Sequence, residues 1–186
     1  MRQFIFIFSI CLITLFSSGC GDFNNSAPVS MNITAIDSTP LEIDILADDT
    51  NGNGTAGEGY IAEEISVKLK AVSILHGSAS NALVSEGNLP GITLTSYRIE
   101  YTLQNAAGSM PAYEGATQIY LRSGENGAYS VRAVTFVQKD WVRTTFGAGT
   151  QVNTSAKITF RGRDDAGNPV TVIGNFEAIF ANFVER

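Results

Sequence analysis

The chain has 186 residues, 18 acidic against 12 basic, and a formal charge of −6, so it repels phosphate. Nonspecific nucleic-acid affinity comes from Lys and Arg neutralising backbone charge, and no cluster of basic residues stands out beyond Arg161 and Arg163, so nucleic acid is excluded as an expected partner. Both cysteines, Cys11 and Cys20, fall in the first 20 residues; the remainder has no disulfide, thiolate metal site or cysteine nucleophile, and 44% hydrophobic content with eleven Phe puts its stability on apolar burial.

Residues 1–20, MRQFIFIFSICLITLFSSGC, carry Arg2, an apolar run from Phe4 to Phe16, and the small Ser17-Ser18-Gly19 before Cys20. These are the n-, h- and cleavage regions of a secretory signal peptide, which is expected to be cleaved; a membrane span needs about 20 apolar residues. With Cys20 directly after Gly19, the segment resembles a bacterial lipoprotein signal, whose lipobox has an apolar residue, a small residue, Gly or Ala, then Cys. Ser17 departs from it at the first position, and ordinary cleavage after Gly19 is the alternative. The resemblance implies a signal peptide 1–19, an acylated Cys20 heading a tether 20–28, and a folded domain 29–186. It implies a thioether-linked diacylglycerol on Cys20 and usually a third acyl chain on its amine. With Gly21 where an inner-membrane retention signal has Asp, it implies the outer membrane. At about 0.8 kcal/mol per buried CH₂, two or three long chains make such an anchor effectively permanent. Loss of Arg2 leaves 11 basic and 18 acidic residues, a formal charge of −7. The tether GDFNNSAP is polar and small, and at ~5–6 Å × √n its eight residues reach roughly 16 Å, keeping the domain near the membrane.

Period-two alternation dominates from Val29 onward and indicates an all-β domain. Val29–Ile33 and Leu41–Ile45 alternate on either side of Pro40, which marks a break or a strand switch. Asp48–Glu58 is the one cluster with ligand chemistry: Asp49, Asn51 and Asn53 at alternate positions before Gly54 match the start of a D-x-[DN]-x-[DN]-G calcium loop. Hard Ca²⁺ wants six to eight oxygens, but position twelve is Tyr60 where the loop needs a bidentate Glu, and the next acids are Glu63 and Glu64. Any Ca²⁺ bound here is expected to be weak, ~10⁻⁴–10⁻³ M; a solvated turn-rich loop is the alternative.

Further along, Ile65–Ala71 alternates with Lys68 and Lys70 outward, and Tyr97–Leu103 with Arg98, Glu100 and Thr102 outward. Between them His76, the only histidine, lies in a loop without a G-x-S-x-G elbow, so a hydrolytic triad has one candidate base and little else. Ile119–Arg122, Tyr129–Val137, Thr154–Arg163 and Val170–Phe180 bring the count to about eight strands, and all five prolines fall at strand starts or in turns. Lys139–Phe146 is the one helix candidate, opened by Asp140 and dropping Trp141 or Val142 and Phe146 onto the core. The turn Asp164–Asn168 predicts a hairpin with Ala156, Ile158 and Phe160 on the same face as Val172, Phe176 and Phe180. Loops of three or five residues keep that parity; the three-residue loop Ala166-Gly167-Asn168 also sets Lys157 opposite Glu177.

These segments resemble immunoglobulin-like or fibronectin type III-like sandwich domains, especially those of small bacterial surface lipoproteins, over roughly 29–184. The expected fold is therefore an immunoglobulin-like antiparallel β-sandwich of about eight strands, without the Cys…Trp…Cys framework of true immunoglobulin domains. In an immunoglobulin-like order 40–47 is an A-type strand, 63–74 is B, and 154–163 and 170–180 are F and G, which puts the 48–58 loop and the 164–168 turn at opposite ends. The expected role is non-enzymatic: a lipid-anchored interaction or structural module of the envelope, with no cofactor beyond weak calcium, whose partners are the membrane and an envelope protein or glycan. Two rivals remain open. An exposed platform of Tyr113, Tyr120 and Trp141 would bind carbohydrate, and a hydrolase would use His76 or a carboxylate pair drawn from Glu100, Glu114, Glu125 and Glu177.

Overall fold

The computed structural model describes residues 29–37, 40–45, 62–73 and 90–183. Among them the alternating segments form eight strands: β1 (Val29–Asp37), β2 (Leu41–Asp44), β3 (Glu63–Ser73), β4 (Gly91–Leu103), β5 (Tyr113–Arg122), β6 (Asn126–Val134), β7 (Val152–Asp164) and β8 (Pro169–Ala181). One helix, α1 (Phe136–Phe146), lies between β6 and β7. The strands divide into a three-stranded sheet of order β1-β3-β6 and a five-stranded sheet of order β2-β8-β7-β4-β5. Their apolar faces meet in one core: Ile65, Val67 and Leu69 of β3 on one side, and Ile99, Ile158, Phe160 and Phe180 on the other, are all sealed from solvent. Ile33 of β1 rests over Gly174 of β8, where an added Cβ would stand 2.6 Å from the Ile33 Cδ1.

The switch at Pro40 takes place: β1 pairs with β3, and the chain then crosses to run parallel to β8 as β2, with Leu41 opposite Ala178 and Asp44 opposite Ala181. This parallel pair is the departure from an all-antiparallel sandwich. The two sheets are also joined at the opposite edge, where Tyr97 Oη of β4 donates to the carbonyl of Arg132 on β6 at 3.0 Å and Tyr101 Oη donates to that of Ala133. Burial pushes both phenols above their ordinary range.

Several segments differ from the sequence reading, among them β5, which begins at Tyr113 rather than Ile119. Strand β4 begins at Gly91 rather than Tyr97 because a bulge at Thr95 shifts its parity: Leu94 pairs with Ile119 and Gly162, Ser96 with Ala116 and Arg161. The inward set thereby changes from Ile92 and Leu94 to Tyr97, Ile99 and Tyr101. Helix α1 starts at Phe136, because Gln138 Oε1 accepts hydrogen bonds from the Thr135 amide (3.0 Å) and hydroxyl (2.7 Å), closing a capping box ahead of Asp140. Val142 is buried, while Trp141 and Phe146 are half-buried and meet edge to face at 5.6 Å.

The last hairpin keeps the expected parity, with Ala156 opposite Phe176 and Phe160 opposite Val172, but its loop has five residues, since Arg163 pairs with Pro169. Lys157 therefore faces Asn175 rather than Glu177. The longer loop is fixed by Asp164, whose carboxylate accepts from the Ala166 amide (3.0 Å), the Asn168 amide (2.8 Å) and Asn168 Nδ2 (2.9 Å), with Gly167 at φ 86°. Partial desolvation raises the Asp164 pKa, but the hydrogen bonds from Asn168, Ala166 and Gly167 outweigh it and hold it below the ordinary value. Its contribution to stability is thus present above the ordinary carboxylate range and lost as pH falls through it to the depressed folded value. Asp164→Ala is expected to cost about 1 kcal/mol at neutral pH, kept small by solvent exposure. Melting curves of variant and parent are expected to converge on acidification; a gap that persists in acid would disprove the carboxylate's role.

Candidate functional site

Pairing fixes what the outer face of the five-stranded sheet presents. Glu114 of β5, Arg98 of β4 and Thr159 of β7 share one row, and Glu100 stands opposite Lys157 in the next. Arg98 Nη1 donates to Glu114 Oε1 at 2.7 Å and Arg98 Nε to Glu100 Oε1 at 3.3 Å, while Lys157 Nζ reaches Glu100 Oε2 at 2.7 Å. The result is a four-member ladder across three strands. The Lys157 hydrogen bond and charge, then Arg98, hold the Glu100 carboxyl below its ordinary pKa, and Glu114 above all raises that of Arg98. Towards the end where β1 begins, the bulge and the small Gly115 and Ala116 leave an open depression of about 300 Å³ lined by Ser96, Arg98, Glu114 and Arg161.

A second depression of about 300 Å³ lies between the edges of β5 and β6, lined by Glu64, Tyr113, Thr117, Ser130 and Arg132. Its floor is the Tyr97 ring, which also lies over Gly115; a Cβ there would come within 2.4 Å of the ring.

The structure sorts the sequence candidates. The signal peptide 1–19, Cys20, the tether, the loop residues Asp49, Asn51 and Asn53, and His76 lie outside the described residues. The strand ends flanking that loop are described: Ile45 bonds to Ala181 and Glu63 pairs with Val134, at the end of the sandwich opposite the Asp164–Asn168 turn. Glu100 and Glu114 are brought together, but each is bonded to one shared arginine, Arg98. Glu125 accepts from the Arg122 amide at 2.8 Å in the β5–β6 turn, and Glu177 is exposed opposite Ser155. The aromatic trio is not assembled. Tyr113 packs edge to face on Tyr97 at 5.9 Å. Tyr120, at the other end of β5, covers Gly91 and donates to Asp165 Oδ2 at 3.2 Å. Trp141 stays on the helix against Phe146.

Two features had no usable sequence signal. Lys139 of α1 is wholly buried and paired with Glu63 Oε1 at 3.0 Å, although the two are 76 positions apart. Arg122 joins Arg161 and Arg163 on one sheet face through the β5-β4-β7 order. Among the described residues no three His, Cys, Asp or Glu side chains gather to hold a metal, and no helix is long and apolar enough to cross a membrane.

No protein-family model matches the chain, and no curated protein matches it. Among solved structures it is similar to the solution structure of a protein described as late embryogenesis abundant (LEA), at 10% identity over 94% of this chain and 83% of that one, with a TM-score of 0.38. A likeness this loose carries no functional argument.

Proposed function

We propose that the chain is a lipid-anchored, immunoglobulin-like β-sandwich of the bacterial envelope, held in the outer membrane through Cys20, that acts by binding another envelope component rather than by catalysis. The anchor rests on the sequence MRQFIFIFSICLITLFSSGC. The immunoglobulin-like reading is supported by strand order: with β2 as an A-type strand beside G, the order β1-β3-β6 against β2-β8-β7-β4-β5 reads as A, B, E against A′, G, F, C, C′. The observation that carries the binding role is the broad outer sheet face, whose acids are tied into the Arg98 and Lys157 ladder and whose depression opens widely to solvent. A glycan is the second reading, favoured by the hydroxyls of Tyr113, Thr117 and Ser130 beside Arg132 in the β5–β6 depression.

Palmitate is expected to label the wild type and not Cys20→Ala, which is released from membranes. An unlabelled, soluble wild type would sink the anchor. Crosslinking from intact envelopes is expected to capture a protein partner through the outer face, with capture lost when Arg98 and Lys157 are both reversed to Glu; capture unchanged by that double reversal would point away from this face.

A further inference from the structure

The anchor and the sheet's cations lie at the same end of the molecule. Val29, where the tether ends, pairs with Ser73 of β3; nearby, Ala71 bonds to Gly124 and Glu125 in the β5–β6 turn, and the neighbouring Ser123 bonds to Pro90. Gly91 in turn bonds to Asp165 of the β7–β8 turn. The start of β1, the start of β4 and both turns thus share one end.

On the outer face of the five-stranded sheet, charge divides along the strands. The far part carries Glu100, Glu114 and Glu177 with Arg98 and Lys157; the part nearest Val29 carries Arg122, Arg161 and Arg163 with Thr93 and Ser96 between them and no acid from its strands, Glu114 standing at the border in the depression it shares with Arg161. Arg122 and Arg161 have no side-chain partner among the described residues, and Arg163 donates only to the Gly167 carbonyl at 2.8 Å. The three acids at the tip are held by neutral donors: Glu125 by the Arg122 amide, Asp164 by the Ala166 and Asn168 amides and Asn168 Nδ2, and Asp165 by the Gly91 amide and the Tyr120 hydroxyl. Tyr120, 46% exposed, stands beside the arginines, and Ile173, 57% exposed, lies further along the same face. Guanidinium, an amphipathic ring and an isolated aliphatic side chain suit a headgroup layer.

Resting on the anchored reading above, we propose that this arginine-bearing half of the face docks on anionic phospholipid headgroups of the leaflet that holds the acyl chains, tilting the domain so that the end nearest Val29 meets the membrane while the half with the Arg98 and Lys157 ladder stays clear of it. Guanidinium forks match phosphate oxygens bidentately. A tether reaching roughly 16 Å permits the tilt. Screening over about 10 Å at ordinary salt confines the interaction to charges at the contact, so the acidic remainder of the chain sets which face approaches without preventing contact.

The full chain carrying Cys20→Ala, tested by co-sedimentation with vesicles, reads docking without acylation. It is expected to bind phosphatidylcholine vesicles containing phosphatidylglycerol at low salt, to release at high salt, and to ignore pure phosphatidylcholine. Affinity is expected to fall about fivefold per arginine replaced by Gln, and on the order of 100-fold for all three, while Lys70→Gln, on β3 of the other sheet, leaves it unchanged. Arg161→Glu alone serves if the triple variant fails to melt like its parent. Equal binding to neutral vesicles, indifference to the arginines, or equally tight binding to soluble polyglutamate or inorganic phosphate would overturn the proposal. Absence of palmitate on the wild type would fell the anchor while leaving the vesicle result standing, so the two failures are distinguishable.

Discussion

Gly162→Ala is expected to destabilise the fold by about 3 kcal/mol, the upper end of what overpacking costs, and to lower the melting temperature by roughly 10 °C for a domain of this size. An added Cβ would stand 2.0 Å from the Thr93 carbonyl oxygen and 2.7 Å from the Leu94 Cα. Neither is the free end of a side chain that rotates away. Both belong to β4, which is hydrogen-bonded on one side to β5 and on the other to β7, so relief requires that the bulge at Thr95 be remade. Gly149→Ala is the control, with nothing within 4 Å of its added Cβ, and its change is expected to stay within about 0.5 kcal/mol. Urea denaturation decides: a loss under about 1 kcal/mol at Gly162 would contradict the close approach of β4 and β7.

The second large effect is asymmetric. Lys139 is fully buried and bonded at 3.0 Å to Glu63, whose side chain keeps 29% exposure. Glu63→Ala strips a charge partner from an ammonium that water does not reach, and is expected to cost about 3 kcal/mol, the lower end for a broken buried pair. Lys139→Met instead leaves a carboxylate that water does reach, and its thioether chain fills similar space, so its cost is expected to be well under half as large. Denaturant melts of the two variants are sufficient, and equal losses would show that the pair acts through shape rather than charge.

Face assignment was the legible part of this sequence. Tyr97, Ile99 and Tyr101, and Phe160 with Phe176, turn inward as alternation requires, because a strand with one buried face repeats every two residues. The first halves of β4 and β5 were less visible for different reasons. In β4 the bulge moves burial from even to odd positions, so GITLTSYRIEYTL reads as two strands with conflicting faces. In β5, YEGATQ lacks the apolar members that would reveal alternation, because Gly115 makes room for the Tyr97 ring. The helix start was written in Thr135 and Gln138, a capping-box spacing masked by the apolar Phe136 and Val137 that prolong the strand pattern. Hairpin parity was fixed by the core, but the choice of five loop residues over three depended on Asp164 bonding across its own turn. Nothing local announces that Lys139 meets Glu63 or that Arg122 joins Arg161, since both follow from strand order.

The crossing at Pro40 has a mechanical consequence. Tension entering at Val29 along the direction of β1 pulls against the whole β1–β3 ladder from Val29 opposite Ser73 to Asp37 opposite Ser66, loading its hydrogen bonds in shear together instead of unzipping them singly. Behind that ladder the same run is clamped again, in series and in the other sheet, by the parallel pairing of Leu41–Asp44 with Ala178–Ala181. A load on the amino-terminal end must therefore break the ladder in one sheet before it meets the second clamp in the other, which makes this end of the molecule a fastening as well as a beginning.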